Sequence, residues 1–365
     1  METQAHPDAG PIFVVGSMRS GSTMLRLILD SHPHIAIGSE TGFMGAFRGT
    51  KEIPSWKFGK GWYERLNWTE QEIDERLREF YGGMFHRYAL EQGKQRWGEK
   101  TPFHTGHMDE MARVFPDSVF VGIVRHPGAV AASLRKNFHY TFADALTYWT
   151  GTNLELVRAG TRLGGRFALC RYEDLVMEGE PVLRELMACL DEPWHPNVLE
   201  HHRVQQEKGT PRAVEGSTIT HDPIDAGRAV QWTDAATQQD YEELDRTAGL
   251  ASFFGYDHID PVTRERLTPS GASQAWIAIG DDLARRRRGW DARVDFDERP
   301  PAVVIDASLE EMADRLARVE RALARARSRR AVRIADAFRK VQHGRSLSDV
   351  RAAWSIIRRP HGTGH

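Results

Sequence analysis

A strand–loop–helix pattern over residues 11–33 constrains the fold more than any other part of the 365-residue chain. Residues 12–15 form a short apolar run with β-branched side chains, which is typical of a buried strand. A loop bounded by Gly16 and Gly21 follows, and residues 23–30 carry apolar side chains at helical spacing. Such a loop directs backbone N–H groups and a helix N-terminus at one point, where a phosphate is favoured. The pattern therefore predicts a phosphate-binding loop after a parallel strand.

The loop matches the Walker A spacing at every position but one. It reads Gly16-x-x-x-x-Gly21-Ser22-Thr23, with Ser22 where nucleoside triphosphatases carry a lysine. A kinase or ATPase needs that lysine on the β- and γ-phosphates of its nucleotide. A P-loop kinase is therefore the weaker alternative, since the sequence also has no evident Walker B aspartate at the end of an apolar run. The loop offers Arg19 and hydroxyl groups instead, which indicates a different donor.

The run Arg-Ser-Gly-Ser-Thr after a strand resembles the 5′-phosphosulfate loop of sulfotransferases that use 3′-phosphoadenosine 5′-phosphosulfate (PAPS). The resemblance implies that PAPS is the donor. It also implies that five loop residues bind this donor: Arg19, Ser20, Gly21, Ser22 and Thr23.

The same family binds the 3′-phosphate of PAPS with an arginine at a strand end and a serine eight residues later. Arg125 and Ser133 have that spacing, and they follow the apolar run 118–124. A guanidinium can hold a phosphate through two hydrogen bonds, and the serine adds a neutral donor. Without the first loop, an arginine at a strand end would be read as half of a structural ion pair.

Within the family, the motif layout is closest to the tyrosylprotein sulfotransferases and their bacterial relatives. These proteins share a first-loop arginine followed by Asp-x-His-Pro, Gly-x-Glu-Thr and Lys-x-Pro-Phe. The matching positions in this chain are Arg19 and residues 30–33, 38–41 and 100–103. The resemblance implies that Glu40 is the catalytic base and that Lys100 and Arg19 are the catalytic cations.

Two later motifs resemble parts of the family that lie near the nucleotide. Tyr172 stands in Arg-Tyr-Glu-Asp-Leu, which resembles a family signature. Gly227 and Arg228, with Trp232, resemble the late loop that closes over the nucleotide. The family often has Gly-Arg-Trp contiguous, whereas this chain inserts residues 229–231. The resemblance as a whole covers about residues 11–256.

The implied chemistry is an in-line transfer of a sulfuryl group from a phosphate to an acceptor hydroxyl. Glu40 would take the acceptor proton, while Lys100 and Arg19 would neutralise charge on the leaving 3′,5′-bisphosphate. Glu99 is the alternative base, but we expect it either to pair with its neighbour Lys100 or to point away. No metal is required, and we find no carboxylate cluster suited to Mg²⁺. His104 is expected to be a satisfied core or surface histidine rather than a ligand or a base, as is the histidine at position 107.

Alternating strands and helices predict a three-layer αβα domain with a central parallel sheet over residues 11–258. The aromatic-rich segment 42–68 is interpreted as a surface loop that packs its rings onto this domain, with the lining of an acceptor pocket as the alternative. Residues 1–10 are predicted to be disordered. Residues 259–302 are predicted to be a linker with irregular structure.

Residues 303–365 are predicted to form a basic helical extension. From residue 315 onward the chain has 14 Lys/Arg against three acidic residues, although its net charge is −2. Apolar residues repeat there at three- and four-residue spacing, which predicts a coiled coil and a homodimer. The flanking arginines are interpreted as the solvated face of that stripe, with a basic surface for an acidic partner or a membrane as the alternative. The stripe consists of Leu309, Met312, Leu316, Val319, Leu323 and Ala326. A non-catalytic nucleotide-binding scaffold that oligomerises through this tail is the alternative from another class, but a scaffold needs no base.

The sequence predicts a cytoplasmic enzyme. No run approaches the roughly 20 apolar residues of a membrane span. The first ten residues match no targeting signal, and two cysteines are too few for a disulfide framework. The Golgi membrane anchor of the tyrosine-modifying enzymes is not found, so protein tyrosine is disfavoured as the acceptor. A carbohydrate, a lipid-linked glycan or a secondary metabolite is expected instead, with no nucleic-acid partner.

Overall fold

The structure, a computed structural model, describes residues 9–52, 61–211, 213–214, 218–219, 222–229, 231–256, 277–279 and 287. All of them lie in the first of the chain's two units, Met1–Pro301. The predicted basic extension, residues 303–365, lies outside the described residues, as do residues 1–8.

A central sheet of five parallel strands confirms the predicted αβα class. The spatial order is β2-β3-β1-β4-β5. The five strands are β1 Ile12–Val15, β2 Ile35–Ile37, β3 Arg96–Lys100, β4 Val119–Val124 and β5 Phe167–Arg171. A separate antiparallel pair is formed by β6 Ala213–Val214 and β7 Thr218–Ile219.

Helices follow most of the strands. The described helices are α1 Ser22–Asp30, α2 Phe43–Glu52, α3 Trp62–Arg65, α4 Glu70–Glu91, α5 Met108–Val114, α6 Pro127–Phe138, α7 Phe142–Leu163, α8 Tyr172–Met177, α9 Gly179–Cys189, α10 His201–Glu207, α11 Gln238–Leu244 and α12 Ala248–Phe253. Short 3₁₀ turns include Pro102–His107, Ala226–Ala229 and Gln231–Ala235.

The two faces of the sheet have different cores, because successive side chains of a strand point to opposite sides. Ile12 and Val14 belong to an aliphatic cluster that includes Leu25 of α1 and Leu183 of α9. Phe13, between them, belongs to an aromatic cluster on the other face, with ring centroids 5.3–6.3 Å away. Its neighbours there are Phe43, Trp97, Phe115 and Phe120.

Strand β3 was not predicted, although it lies beside β1 in the centre of the sheet. Arg96, Glu99 and Lys100 are all buried in it. Buried parallel strands usually read as apolar runs, so these charges hid the strand. Each charge has a partner in the fold, which offsets the loss of hydration on burial.

Two interpretations of irregular segments are corrected. Within 42–68 the described residues form α2 and α3, because Phe43, Met44 and Phe47 place apolar groups on one helical face. Within 259–302 the described strand β8, Ile277–Ile279, pairs antiparallel with β5. The sheet therefore extends past residue 258, where the sequence predicted the domain to end.

Candidate active site

The candidate site lies where the direction of strand connection changes. The chain passes from β1 to β2 on one side of the sheet and, after β3, to β4 on the other side of β1. Ligands of open parallel sheets bind at such a point, outside the carboxyl ends of the strands. Three cationic residues stand at the carboxyl ends of the three adjacent strands: Arg19 after β1, Lys100 at the end of β3, and Arg125 after β4.

The loop after β1 has a left-handed backbone conformation at Gly21, which a glycine favours. Gly21 has φ +99° and is the N-cap of α1, while Arg19 has φ +66°. A Cβ at Gly21 would lie 2.4 Å from the ring of Tyr172. Position 21 therefore requires glycine both for its conformation and for the space that Tyr172 occupies.

Side chains distant in the sequence hold the loop, and no local sequence pattern indicated them. The N–H of Gly16 donates to the hydroxyl of Thr105 at 2.8 Å, and the N–H of Met18 donates to the hydroxyl of Tyr148 at 3.0 Å. Burial raises the pKa of Tyr148 to about 12. Ser20 is one of the residues predicted to bind PAPS. It is buried, and its hydroxyl donates a hydrogen bond to the carbonyl of Ser17 within the loop.

Lys100 brings an ammonium group to the loop from the neighbouring strand. The pairing of β1 with β3 sets Val14 beside Lys100. The side chain of Lys100 is fully buried, and its Nζ donates to Thr23 Oγ1 at 3.0 Å and to the carboxylate of Glu40. A cation thus lies at the start of α1, next to the position where Walker A loops carry their lysine.

The two candidate bases, Glu40 and Glu99, lie in different surroundings. Glu40, and not Glu99, pairs with Lys100, and the Glu40 side chain is 35% exposed. Glu99 is buried and accepts hydrogen bonds from Thr101, Thr41 and His104 at 2.7–2.9 Å. Burial alone raises the pKa of Glu99, but the bonds from His104, Thr101 and Thr41 outweigh it and hold that pKa below its usual value. Of the two arrangements expected for Glu99, the structure has the one in which its described bonds go to residues other than Lys100.

The predicted 3′-phosphate residues meet the first loop. Arg19 Nε donates to Ser133 Oγ at 2.8 Å, and Arg125 Nη1 donates to the carbonyl of Arg19 at 3.3 Å. Burial, with a smaller effect of the charge on Arg125, lowers the pKa of Arg19. Arg125 Nε is buried and has no hydrogen-bond partner among the residues that the structure describes.

Tyr172 and the late loop enclose Arg125 from two sides. The Arg125 guanidinium lies 4.1 Å from the ring centroid of Tyr172, and its Nη2 donates to the carbonyl of Arg228 at 2.9 Å. Burial raises the pKa of Tyr172. The guanidinium of Arg228 instead pairs with Asp222 at 3.0 Å. Gly227 is exposed. Among the hydrogen bonds of the described residues, Arg228 is the late-loop residue that contacts another predicted site residue, through its carbonyl and Arg125.

Trp232 anchors this late loop despite the three inserted residues. Its ring stacks on His126 at a centroid distance of 5.0 Å and an interplanar angle of 20°. It also packs so closely on Gly128 that a Cβ there would lie 2.4 Å from the indole.

His104 and His107 were both expected to be satisfied histidines of the core or the surface. His104 fits that expectation, because it is buried and bonded to Glu99. Burial lowers the pKa of His107 to about 4.

Comparison with known proteins identifies the family. The sulfotransferase family matches residues 11–196, which is more than half of the chain. The chain belongs to the sulfotransferase family. The predicted family and enzyme class are thereby confirmed, and the kinase alternative is not supported.

The relatives carry related names. Protein-tyrosine sulfotransferase 1 of Danio rerio is 25% identical over 271 residues, which cover 71% of this chain and 76% of the relative. Protein-tyrosine sulfotransferase 1 of Homo sapiens is 26% identical over 266 residues, or 69% of this chain and 71% of the relative. Among solved structures, the sulfotransferase domain of the Synechococcus PCC 7002 olefin synthase has a TM-score of 0.47 and 23% identity, covering 70% of this chain and 99% of that domain.

These relatives correct the predicted location of this sulfotransferase. The cytoplasmic assignment depended on the lack of an apolar span and of a targeting signal, and on the presence of only two cysteines. The named relatives are protein-tyrosine sulfotransferases, and the similarity to them contradicts that assignment. Among the described residues, no helix combines the length and apolar character needed to cross a membrane.

Proposed function

We propose that this sulfotransferase moves the sulfuryl group of PAPS to a hydroxyl acceptor, with Glu40 as general base. The observation that carries the proposal is the convergence of three cations on one loop. Lys100 reaches Thr23, Arg19 reaches Ser133, and Arg125 reaches the backbone of Arg19. A site with this much positive charge at the start of a helix suits a donor with two phosphate groups.

The residues present fit PAPS in two places. Backbone N–H groups of residues 21–23 lie at the N-terminus of α1, which favours the 5′-phosphosulfate. Arg125, with a buried Nε that lacks a described partner, fits the 3′-phosphate together with Ser133. Burying an unpaired donor is unfavourable, so an anion that accepted its hydrogen bond would remove that cost. Tyr172 orients Arg125 through its ring face.

The catalytic residues have distinct tasks in the proposed transfer. Glu40 takes the proton of the acceptor hydroxyl while the new sulfur–oxygen bond forms. Lys100 and Arg19 hold positive charge where the sulfur–oxygen bond to the phosphate breaks, and the 3′,5′-bisphosphate leaves with that electron pair. Lys100 also contacts Glu40, so one ammonium orients the base and neutralises the leaving group. Glu99 holds Thr41, the neighbour of Glu40, through the hydrogen bond to the Thr41 hydroxyl.

For the acceptor, we propose the phenolic hydroxyl of tyrosine in a protein or peptide. The support is the name shared by the relatives in fish and human. The carbohydrate, lipid-linked glycan and secondary metabolite that the sequence favoured become the comparison substrates.

Two measurements test the proposal. In calorimetry, 3′,5′-ADP should bind and ATP should bind more weakly, because Arg125 and Ser133 fit a 3′-phosphate, which ATP lacks. With labelled PAPS, sulfate should be incorporated into a tyrosine peptide and not into the same peptide with phenylalanine. Tighter binding of ATP would contradict the donor. Transfer only to a sugar would keep the donor and replace the acceptor.

A further inference from the structure

Three side chains that can bind a metal ion lie together at the amino end of β2, whereas the candidate active site lies at the carboxyl ends of the strands. His32 and His34 stand in the turn between α1 and the start of β2, and Glu192 follows α9. One ligand atom from each residue lies within 4.8 Å of the others. His34 Nδ1 is 3.0 Å from Glu192 Oε2, and His32 Nδ1 is 3.9 Å from the same oxygen.

The hydrogen bonds of His32 leave the lone pair of Nδ1 directed into this cluster. Its Nε2 lies 2.9 Å from the carbonyl of Pro193. A carbonyl only accepts, so Nε2 carries the proton and Nδ1 carries the lone pair. A backbone carbonyl on the far nitrogen is the usual partner of a metal-binding histidine, because it fixes the tautomer and the ring. At present Nδ1 accepts a 3.2 Å bond from the N–H of His34, which a stronger ligand bond would replace.

The carboxylate is held in place by a neighbouring cation. Arg96 donates to Glu192 Oε1 at 3.0 Å and to the carbonyl of Leu190 at 2.6 Å. Oε1 is thereby occupied, and Oε2 faces the two histidines. The Glu192 side chain is 6% exposed and that of His34 is 18% exposed, so the cluster is enclosed but reached from solvent through His34.

We propose that His32, His34 and Glu192 bind a divalent transition-metal ion, with Zn²⁺ as the reference ion. Two imidazole nitrogens and one carboxylate oxygen form a ligand set that Zn²⁺ accepts, with water in the fourth position. Zinc–ligand bonds of about 2.0–2.2 Å place tetrahedral ligand atoms about 3.3 Å apart. The two separations from Glu192 Oε2, 3.0 and 3.9 Å, bracket that value. All three ligand atoms lie within 4.8 Å of one another, so the imidazole rings would move closer together around the ion.

Such an ion would join two segments that are 158 residues apart in sequence, at the His34–Glu192 contact. It would bind the native state and not the unfolded chain, so it would raise the thermal midpoint as its concentration rises. The role is structural, because the cluster lies at the amino end of β2 and the candidate catalytic residues lie at the carboxyl ends of the strands.

The test uses the untagged full-length protein after dialysis against a chelator, with ZnCl₂ as the only ligand. Calorimetry should give one strong site, and the thermal midpoint should rise with Zn²⁺. His34→Ala removes one ligand and leaves the Arg96–Glu192 pair intact. It should weaken binding by more than about 100-fold, the upper range for losing an outer partner of a metal ligand. His86→Ala, at an exposed histidine of α4, should bind Zn²⁺ as the wild type does.

A second variant and a second ion make the result decisive. Glu192→Gln should also lose the strong site, even if it lowers the thermal midpoint of the metal-free protein. Co²⁺ in the wild type should give the intense visible absorption of a tetrahedral site, and His34→Ala should not. The proposal is overturned if the wild type shows no strong site, or if its Zn²⁺ affinity survives in both His34→Ala and Glu192→Gln. Neither result bears on sulfuryl transfer.

Discussion

Lys100 Nζ donates a 3.0 Å hydrogen bond to Thr23 Oγ1, and the two residues are 77 positions apart in the sequence. In a Walker A loop, the lysine would occupy position 22, next to Thr23. Here the adjacent strand supplies the cation, because the register of β1 with β3 sets Val14 beside Lys100. A phosphate loop without its lysine can therefore still face an ammonium group.

The first prediction concerns this ammonium. Lys100→Met keeps a long, buried side chain and removes the charge. We expect turnover to fall by about 10²–10³-fold, the usual effect of losing one group that stabilises transition-state charge. The fold should remain, because Glu40 is partly exposed and can be hydrated. Steady-state sulfate transfer and thermal unfolding measure the two effects.

Lys94→Met is the matched control for Lys100→Met. The side chain of Lys94 is largely buried, with 11% exposed, and it binds the carbonyl of Ile35 and pairs with Asp30, away from the loop. It should lower stability and leave kcat nearly unchanged. Equal loss of kcat in both variants would mean that Lys100 acts through the fold.

The second prediction separates the two glutamates. Glu40→Gln keeps the size of the side chain but cannot take a proton, so turnover should fall by about 10²–10⁴-fold. Affinity for 3′,5′-ADP should change little. Glu99→Gln places an amide N–H₂ among the donors His104, Thr101 and Thr41, so it should lower the free energy of unfolding by about 1–3 kcal/mol.

Denaturant unfolding and kinetics on both variants give the comparison. If Glu40→Gln retains turnover while Glu99→Gln abolishes it without loss of stability, the base is Glu99. If both lose turnover and only Glu99→Gln loses stability, Glu99 is a positioning residue for the segment that carries Glu40.

Much of the fold was predictable from the sequence, because local patterns determined it. The apolar run at 12–15, the glycine-bounded loop and the helix after it appear where expected. The spacing of Arg125 and Ser133 also led to residues that meet the first loop in space. Strand β3 was missed because burial of its charges depends on partners from distant segments, such as Glu192 for Arg96.

Residues that support the loop from outside left no local signal. Thr105 lies in a 3₁₀ turn and Tyr148 lies in the middle of α7, and each reaches the loop through a single hydroxyl. Their side chains are common in cores and helices, and only the tertiary packing brings them to Gly16 and Met18. The pairing of Lys100 with Glu40 also depends on tertiary packing, which brings the two residues together from different segments. Glu99 is next to Lys100 in β3, and neighbours along a strand point to opposite faces.

The third prediction concerns the 3′-phosphate. The protein should bind 3′,5′-ADP at least about tenfold more tightly than 5′-AMP, because a charged hydrogen bond contributes about 1.5–3 kcal/mol. Arg125→Ala should remove most of that preference, and Ser133→Ala should remove less because serine is neutral. Calorimetry with the two nucleotides measures both. Equal affinities in the wild type would contradict the assignment of Arg125.

The fourth prediction concerns acid stability. Burial, with a smaller effect of His202, lowers the pKa of His201 to about 4, whereas an unfolded histidine has a pKa near 6.5. The unfolded chain therefore binds the proton first. The free energy of unfolding should fall as pH drops from about 6.5 to 4 and level off below, by up to about 1.4 kcal/mol per pH unit for this histidine. His201→Leu should make the slope shallower, as measured by urea unfolding at each pH. An unchanged slope would mean that His201 is charged in the folded protein.

The fifth prediction concerns the anchor of the late loop. A Cβ at Gly128 would lie 2.4 Å from the ring of Trp232, so Gly128→Ala should displace that ring and release the Arg228 carbonyl from Arg125. Affinity for 3′,5′-ADP should fall by about tenfold, the equivalent of about 1.4 kcal/mol. Gly83→Ala is the control, because nothing lies within 4 Å of its added Cβ; it should leave affinity unchanged and stabilise α4 slightly.

A double-mutant cycle shows whether the effect of Gly128→Ala passes through Trp232. Trp232→Ala removes the ring that the new methyl group would strike, so it should weaken nucleotide binding by itself. Adding Gly128→Ala to Trp232→Ala should then have almost no further effect, because the two changes act on the same contact. Calorimetry with 3′,5′-ADP on the four proteins gives the coupling energy. Additive losses would show that Gly128 affects the nucleotide site by another route, such as the start of α6, and not through the anchor of the late loop.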